Sequence, residues 1–303
     1  MGKVLVVCGA TASGKTALSI ALAKQLNTEI ISADSMLIYK GLDIGTAKPT
    51  ISEMDGVKHH MIDVVGPNES FSVSDYREMA LPSIERLLAQ GKNPIICGGT
   101  GFYINALLFE SQLGNAGADE NLRKELEAFL LKNGKEALHA LLAEKDPESA
   151  AVLHCNDTKR VIRALEIFYV TGKKKSAQAD GFTPKYPFLC MSIEYPREKL
   201  YERINLRVDK MFDDGLLTEV QDLQASGITK ESQCMQGIGY KEVAEGLEKG
   251  WSLEEIKEVI KKNTRNYAKR QLTFFKRMHN HLILPHDEAT VEKVLERFSA
   301  VDF

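Results

Sequence analysis

Positive charge is not in excess in this chain: 39 Lys and Arg stand against 42 Asp and Glu over 303 residues, a net charge of -3. No global basic field advertises a polyanionic partner, so any nucleic-acid site has to come from local clustering. Cysteine is sparse and scattered, with Cys8, Cys97, Cys155, Cys190 and Cys234 forming no C-x-x-C pair. Isolated thiols in odd number argue against a disulfide framework or a zinc site and suit a reducing cytosol. Long apolar runs are missing too, and none approaches membrane-spanning length. After Met1-Gly2-Lys3 the chain enters an apolar stretch directly, so no signal peptide is expected and the expected location is cytoplasmic. The remaining balance, 44% hydrophobic and 27% charged, is that of a globular protein with one large domain or two modest ones.

What is present is organised around Gly9-Ala10-Thr11-Ala12-Ser13-Gly14-Lys15-Thr16. Val4 to Cys8 before it is a continuous apolar, largely β-branched run of the kind expected for a buried parallel strand. Ala17 to Ala23 after it reads as an apolar helix. The spacing G-x-x-x-x-G-K-[ST] between a strand and a helix lets backbone N–H groups curl around phosphate oxygens, and the helix dipole adds to the attraction. Lys15 offers a point charge to a terminal phosphate, and Thr16 a hydroxyl of the kind that ligates Mg²⁺. The loop does not say whose phosphate it holds.

Glu29 to Ala33 is a second strand that delivers Asp34 at its carboxyl end, the side on which open α/β sheets bind ligands. Asp34 is either a functional carboxylate or a loop cap. The stretch Ser35 to Pro49 is long, punctuated by Gly41 and Gly45 and oddly apolar, as substrate-holding loops beside a site often are. His59 to Val65 is a further candidate strand, and its paired histidines lack a carboxylate or cysteine at ligand spacing. A helix is expected from Ser72 past Pro82 to Ala89. Pro94 to Cys97 is a third parallel strand, ending in Gly98-Gly99-Thr100-Gly101 ahead of a helix with Phe102, Tyr103, Leu107 and Leu108. A nucleoside triphosphatase usually carries an acid at such a strand end. Its absence tells against ATP hydrolysis, and the glycines suggest backbone passing close to another ligand.

From about Gly114 to Gly172 the pattern becomes wholly helical: Asn121 to Leu131, Lys135 to Leu142, a short turn at Pro147, then Lys159 to Val170. Lys159, Arg160 and Arg163 fall on nearly one helical face there, either as a binding surface or as a solvated one. Strand character returns at Leu189 to Ile193. Pro196 opens a helix in which Arg203 and Arg207 share a face, closed by Gly215, and Leu216 to Leu223 forms the next. Met235 to Tyr240 is a compact turn leading into another helix. A last long helix is expected from about Leu253 to His279; between Ile256 and Arg277 it carries Lys257, Lys261, Lys262, Arg265, Lys269, Arg270, Lys276 and Arg277 against the single acid Glu258. With Tyr267, Phe274 and Phe275 interleaved, it is either an RNA-tracking surface or an amphipathic helix with its aromatics inward.

At this point the chain resembles the tRNA dimethylallyltransferase family in six ordered blocks. They are Gly9 to Thr16; Asp34-Ser35 with Tyr39-Lys40-Gly41 and Asp43 to Pro49; Gly98 to Gly101; Arg160 with Arg163-Ala164-Leu165-Glu166; Gly239-Tyr240; and Lys269-Arg270-Gln271 with Thr273. The resemblance implies an α/β fold: a P-loop NTPase-like parallel-sheet core over residues 1–113 and 184–303, with a helical insertion domain over 114–183 contacting tRNA. It implies transfer of a dimethylallyl group from dimethylallyl diphosphate to N6 of the adenosine at tRNA position 37, beside the anticodon, with Mg²⁺ as cofactor and no protein partner required. The diphosphate would be gripped by Gly9 to Thr16 together with Arg207, Arg203 being the close second candidate. Asp34 would accept the N6 proton, since the exocyclic amine of adenine is a poor nucleophile whose lone pair is delocalised into the ring. The resemblance places Asp34, Ser35, Met36, Leu37, Thr100, Gly101, Arg123, Lys159, Arg160, Val161, Ile162 and Arg163 at the tRNA anticodon stem-loop, its target adenosine flipped out of the stack. Ala10, Leu37 and Phe274 depart from the commoner proline, glutamine and tryptophan. Leu37 cannot make a side-chain hydrogen bond to tRNA. A P-loop kinase fits the chain poorly, because it lacks the acid after Cys97 and carries a basic helix; an adenylate isopentenyltransferase would not need the helical block.

Overall fold

The computed structural model describes residues 2–110, 119–177 and 183–301. Its chain divides into two compact units, one made of Met1–Leu108 and Pro184–Phe303, the other of Phe109–Thr183. The expected boundary at residues 113 and 114 lies outside the described residues.

The first unit is built on a parallel sheet. Its strands are β1 (Val4–Cys8), β2 (Ile30–Ser32), β3 (His59–His60), β4 (Ile95–Gly98), β5 (Phe188–Glu194) and β6 (His281–Pro285), in the spatial order β3-β2-β4-β1-β5-β6. β1 is buried along its whole length because it is flanked on both edges, pairing Leu5 with Ile95 on one side and with Leu189 on the other. That is why its five residues are all apolar, without the alternation of a half-exposed strand. Helix α1 (Lys15–Gln25) follows β1. The helices α2 (Ile51–Met54), α3 (Val73–Ala89) and α4 (Gly101–Leu108) come next in this unit. Ser72 caps α3 through a reciprocal bond pair with Asp75, and the helix runs through Pro82 as expected. One apolar layer joins Leu18 and Leu22 of α1 to Leu5, Val7 and Met191 of the sheet.

The second unit is helical: α5 (Glu120–Lys145), α6 (Pro147–Val152) and α7 (Thr158–Thr171). Gly134, at φ 83° and ψ 169°, breaks α5 into two rods, so the two separate helices read from the sequence are both there. The short turn expected at Pro147 is instead a helix, because Asp146 accepts the Ser149 N–H as its cap and Pro147 occupies the first turn. Leu126, Leu138, Leu142, Val161, Ile162 and Leu165 form this unit's core.

After β5 the first unit resumes with α8 (Arg197–Asp213), α9 (Leu216–Ala225), α10 (Tyr240–Lys249), α11 (Leu253–Phe275) and, after β6, α12 (Val291–Ser299). Two expectations are corrected here. The final long helix stops at Phe275 and not near His279, and the chain then enters β6, which pairs with β5 from Cys190–His281 to Glu194–Pro285. The strand expected from His59 to Val65 is only two residues long, because Met61 and Asp63 adopt positive φ and turn the chain.

Candidate active site

Three strands deliver the candidate loops at the carboxyl end of the sheet. β1 runs into the Gly9–Thr16 loop, β2 into Asp34 and β4 into the Gly98–Gly101 turn, and β4 lies between the other two. The phosphate-type loop holds its shape through positive φ at Gly9 (122°), Ala12 (61°) and Gly14 (87°). Ala12 is the costly one, since a side chain there opposes the left-handed conformation. Gly14 is the N-cap of α1 and no side chain caps that helix, which leaves the first-turn amides to an outside acceptor. Ser13 is buried and its hydroxyl has no partner among the described residues.

The cations around the loop are held by backbone carbonyls. Lys15 Nζ donates to Ala10 O at 2.5 Å, Arg203 Nε to Ala12 O at 2.8 Å, and Arg207 Nη2 to Thr46 O at 3.1 Å. Burial pulls the pKa of Lys15 below its ordinary value, and that of Arg207 likewise, with Asp34 opposing both shifts. The Arg203 guanidinium lies 4.9 Å from the centroid of the Tyr195 ring.

Three adjoining cavities open here. One of about 360 Å³ is lined by Ala12 to Thr16 with Arg203, Leu206 and Arg207. A second, of about 400 Å³, is lined by Thr11, Asp34, Ser35, Met36 and Arg270 together with an apolar wall that includes Ile204, Val208 and Ile238. A third, of about 100 Å³, brings Lys15, Thr16, Asp34, Leu37, Arg207 and Gln271 together. Arg207 lines all three and Arg203 only the first, which separates the two candidates the sequence left side by side. Asp34 is half-buried, and its Oδ1 accepts the Met36 N–H at 2.9 Å. One carboxylate oxygen therefore does cap the loop, while the residue still lines both of the cavities beyond the cradle. Burial and then the Asp34 charge push the Tyr267 phenol well above its usual pKa, so the phenol stays protonated.

A buried amide ties these loops together, a role that the sequence block containing Gln271 does not suggest. Gln271 on α11 accepts the Thr11 N–H at 2.8 Å through Oε1 and donates Nε2 to Gly99 O at 3.0 Å. Thr11 therefore spends its amide on Gln271, and the cradle is left with the amides closer to α1. The glycines after β4 are also explained differently from the expectation of a nearby ligand. A Cβ at Gly98 would lie 2.1 Å from Ala33 O, one at Gly99 2.1 Å from Gln271 Nε2, and one at Gly101 2.0 Å from the Phe274 ring. They admit the protein's own β2 end and α11. Thr100 is pinned in the same turn, its Oγ1 accepting the Ser35 N–H at 3.0 Å.

The loop from Ser35 to Pro49 is anchored by one distant charge and one of its own. Glu219 of α9 accepts the N–H groups of Asp43, Ile44 and Gly45 at 2.9, 2.8 and 3.1 Å and the Tyr240 hydroxyl at 2.5 Å. Lys48 bonds Asp43, Asp63 and the Tyr39 carbonyl. Together they hold Thr46 O where Arg207 reaches it. Glu219 and Gln271 act across well over a hundred residues, so sequence spacing carries no trace of their partners.

In the helical unit, Arg123 and Arg163 both bond Glu166, and Arg160 pairs with Asp157 at 3.2 Å. Lys159 is exposed. Val161 and Ile162 are a correction: at 1% and 8% exposure they belong to the unit's core, so their side chains cannot be offered to RNA. On α11, Phe275 is buried and Phe274 rests against Phe102, whereas Tyr267 and Arg270 line the 400 Å³ cavity. The basic helix is thus amphipathic along one part and site-facing along another. Among the described residues no cluster of three or more His, Cys, Asp or Glu is placed to hold a metal ion, and no helix is long and apolar enough to cross a membrane.

A parallel sheet whose first strand feeds an amide cradle beside a carboxylate defines a P-loop-like fold of the α/β class. The sequence matches the IPP transferase family over residues 37–278, and the chain belongs to that family. It is 47% identical over 291 residues to the tRNA dimethylallyltransferase of Acetivibrio thermocellus, covering 95% of this chain and 93% of the relative. The structure is similar to the full-length tRNA isopentenylpyrophosphate transferase of Bacillus halodurans, at a TM-score of 0.71 and 44% identity over 98% of this chain and 94% of that one. It is also similar to a eukaryotic dimethylallyltransferase acting on tRNA, at a TM-score of 0.81 and 32% identity over 96% of this chain and 74% of that one.

Proposed function

We propose that this protein transfers a dimethylallyl group from dimethylallyl diphosphate to N6 of the adenosine at tRNA position 37, releasing diphosphate. The observation that carries the reading is the 100 Å³ cavity in which Lys15, Thr16 and Arg207 face the same space as Asp34. A cationic grip beside a carboxylate, with no acid after β4, suits a departing diphosphate better than a hydrolysed nucleotide.

The chemistry follows from those groups. The allylic C–O bond breaks with its electron pair leaving on the diphosphate, whose growing charge is met by the amides at the start of α1, Lys15 and Arg207. The N6 lone pair forms the new C–N bond, and Asp34 takes the N6 proton as that bond forms. The apolar wall of Ile204, Val208 and Ile238 suits the prenyl tail and excludes water that would capture it. A Mg²⁺ ion fits beside the exposed Thr16 at the small cavity, because Mg²⁺ takes few protein ligands beside substrate phosphates. Thr16 would hold it with the diphosphate, and its contribution when bound is neutralisation of the leaving group. The RNA would meet Ser35, Thr100 and α11 in the first unit, and Arg123, Lys159, Arg160 and Arg163 in the second.

Incubating the protein with radiolabelled dimethylallyl diphosphate and either tRNA or AMP tests the reading. Label in tRNA that maps to the adenosine beside the anticodon is the expected result. Label in AMP alone would make the enzyme an adenylate isopentenyltransferase, and ATP turnover without prenyl donor would make it a nucleotide-driven switch.

A further inference from the structure

Glu166 lies in the middle of α7 with none of its side chain exposed. Its neighbours along the helix, Ile162, Ala164 and Leu165, are core residues, so an apolar side chain would fit the position. A buried carboxylate is weak evidence for stability, because its desolvation generally offsets what its partners return. The reason for it lies in what its two oxygens hold. Oε1 accepts the Asp119 N–H at 2.9 Å and lies 2.8 Å from Arg123 Nε, while Oε2 accepts from Arg123 Nη2 at 3.1 Å and from Arg163 Nη1 at 2.6 Å. Arg123 is therefore gripped by two of its nitrogens, which fixes the plane of its guanidinium, and the bond to Asp119 fixes the start of the helix that carries it. The two arginines keep 40% and 34% of their side-chain surface exposed while their shared partner has none. The arrangement is a hidden anion that aims two cations from different helices out of the unit.

We propose that Glu166 is a positioning residue for tRNA: it presets the guanidinium plane of Arg123 and holds one nitrogen of Arg163, so that both meet the RNA backbone without first being ordered. The proposal rests on the reading that these arginines contact tRNA. Its physical signature is a sign. Glu166 carries the same charge as RNA phosphate, so if only charge mattered, neutralising it would tighten tRNA binding. If it orients the arginines, neutralising it loosens binding despite the gain in net positive charge.

Steady-state transfer by the full chain with Glu166→Gln, varying tRNA and prenyl donor in turn, separates the two. The expected result is a tRNA KM raised about tenfold, the low end of what losing a charge-assisted hydrogen bond costs, with kcat and the donor KM within about twofold of the parent. Arg123→Lys keeps the charge and loses the two-nitrogen grip, so it should raise the tRNA KM in the same way, and it carries the test if Glu166→Gln does not fold. Arg123→Ala combined with Glu166→Gln should cost less than the two separately, since each removes the same ordered contact. An unchanged or lowered tRNA KM in a folded Glu166→Gln, with Arg123→Ala and Arg163→Ala both raising it, overturns the positioning role alone. If Arg123→Ala and Arg163→Ala leave the tRNA KM unchanged, the arginines do not meet RNA and the proposal falls with that reading.

Discussion

The cations around the phosphate-type loop and the arginines of the helical unit are held in opposite ways. Around the phosphate-type loop, Lys15, Arg203 and Arg207 each donate to a backbone carbonyl. In the helical unit, Arg123 and Arg163 share a carboxylate and Arg160 takes another. A carbonyl fixes a cation's position and leaves its full charge in place; a carboxylate fixes it and cancels most of the charge at a distance. The first arrangement suits a compact, highly charged group in a desolvated cleft, where each charge counts heavily. The second suits a long, salt-screened polyanion that is met by shape and hydrogen-bond direction more than by net field.

The sharpest way to break that contrast is at Asp34, the one carboxylate lining these cavities among the described residues. Asp34→Ala should lower single-turnover dimethylallyl transfer by about 10²–10⁴-fold, the range of general-base removal, with tRNA affinity nearly unchanged. Unchanged single-turnover transfer would take Asp34 out of the chemistry. Next in size are the carbonyl-held cations. Lys15→Ala or Arg207→Ala should weaken donor affinity by roughly 10–100-fold, as expected for one charged hydrogen bond in a buried site, and Arg203→Ala by less because it lines only the cavity over the cradle and neither of the two that Asp34 lines. Equal losses at Arg203 and Arg207, measured by donor titration, would dissolve the distinction between them.

How much of this was legible beforehand follows the range of the forces involved. β1, α3 and the two rods of α5 follow from apolar period, capping residues and a glycine, all of them local signals, and the reading and the structure agree there. β6 follows the basic helix and has no such signal: His281, Leu282 and Ile283 are only partly buried or exposed, as suits a sheet edge, and the alternation that marks a strand is weak. The cradle and Asp34 were visible because each sits directly after a strand. The role of Gln271, the anchoring by Glu219 and the inward turn of Val161 and Ile162 were not, since each depends on which distant surface packs against a residue whose type is locally unremarked. The glycines at Gly98 and Gly99 show the same limit: the sequence calls for close approach there, and only packing reveals that the approaching group is Ala33 and Gln271.

A smaller effect is the acid sensitivity built into the helical unit. Asp146, fully buried between α5 and α6, accepts from the Ser149 N–H, the Ser176 N–H and the Ser176 hydroxyl. Burial acts to raise its pKa, but these bonds outweigh it and carry the carboxyl from 3.8 down to about 2. A depressed folded-state pKa means stability that is present above the unfolded value and lost as the pH falls toward the folded one. The shift corresponds to about 2 kcal/mol, lost between roughly pH 4 and pH 2. Asp146→Asn should therefore cost the helical unit about that much at neutral pH and flatten its acid transition. A melt of that variant with the parent's pH dependence would place the acid sensitivity elsewhere.

The mildest test is salt, and it distinguishes cations that look alike on α11. Lys257 reaches Glu254 at 3.3 Å, Lys261 reaches Asp209 at 2.8 Å, and Arg265 reaches Asn205 at 2.7 Å, so their positions are committed within the protein. Lys262 on the helix and Lys276 at its C-cap are exposed. If RNA tracks this helix, each exposed cation that displaces a counterion contributes roughly 0.7–0.9 to the slope of log affinity against log salt. Lys276→Ala should lower that slope by about one and weaken tRNA binding evenly across sequences, while Lys257→Ala should leave it unchanged. Equal slopes for the parent and Lys276→Ala would show that the Lys276 charge faces only solvent.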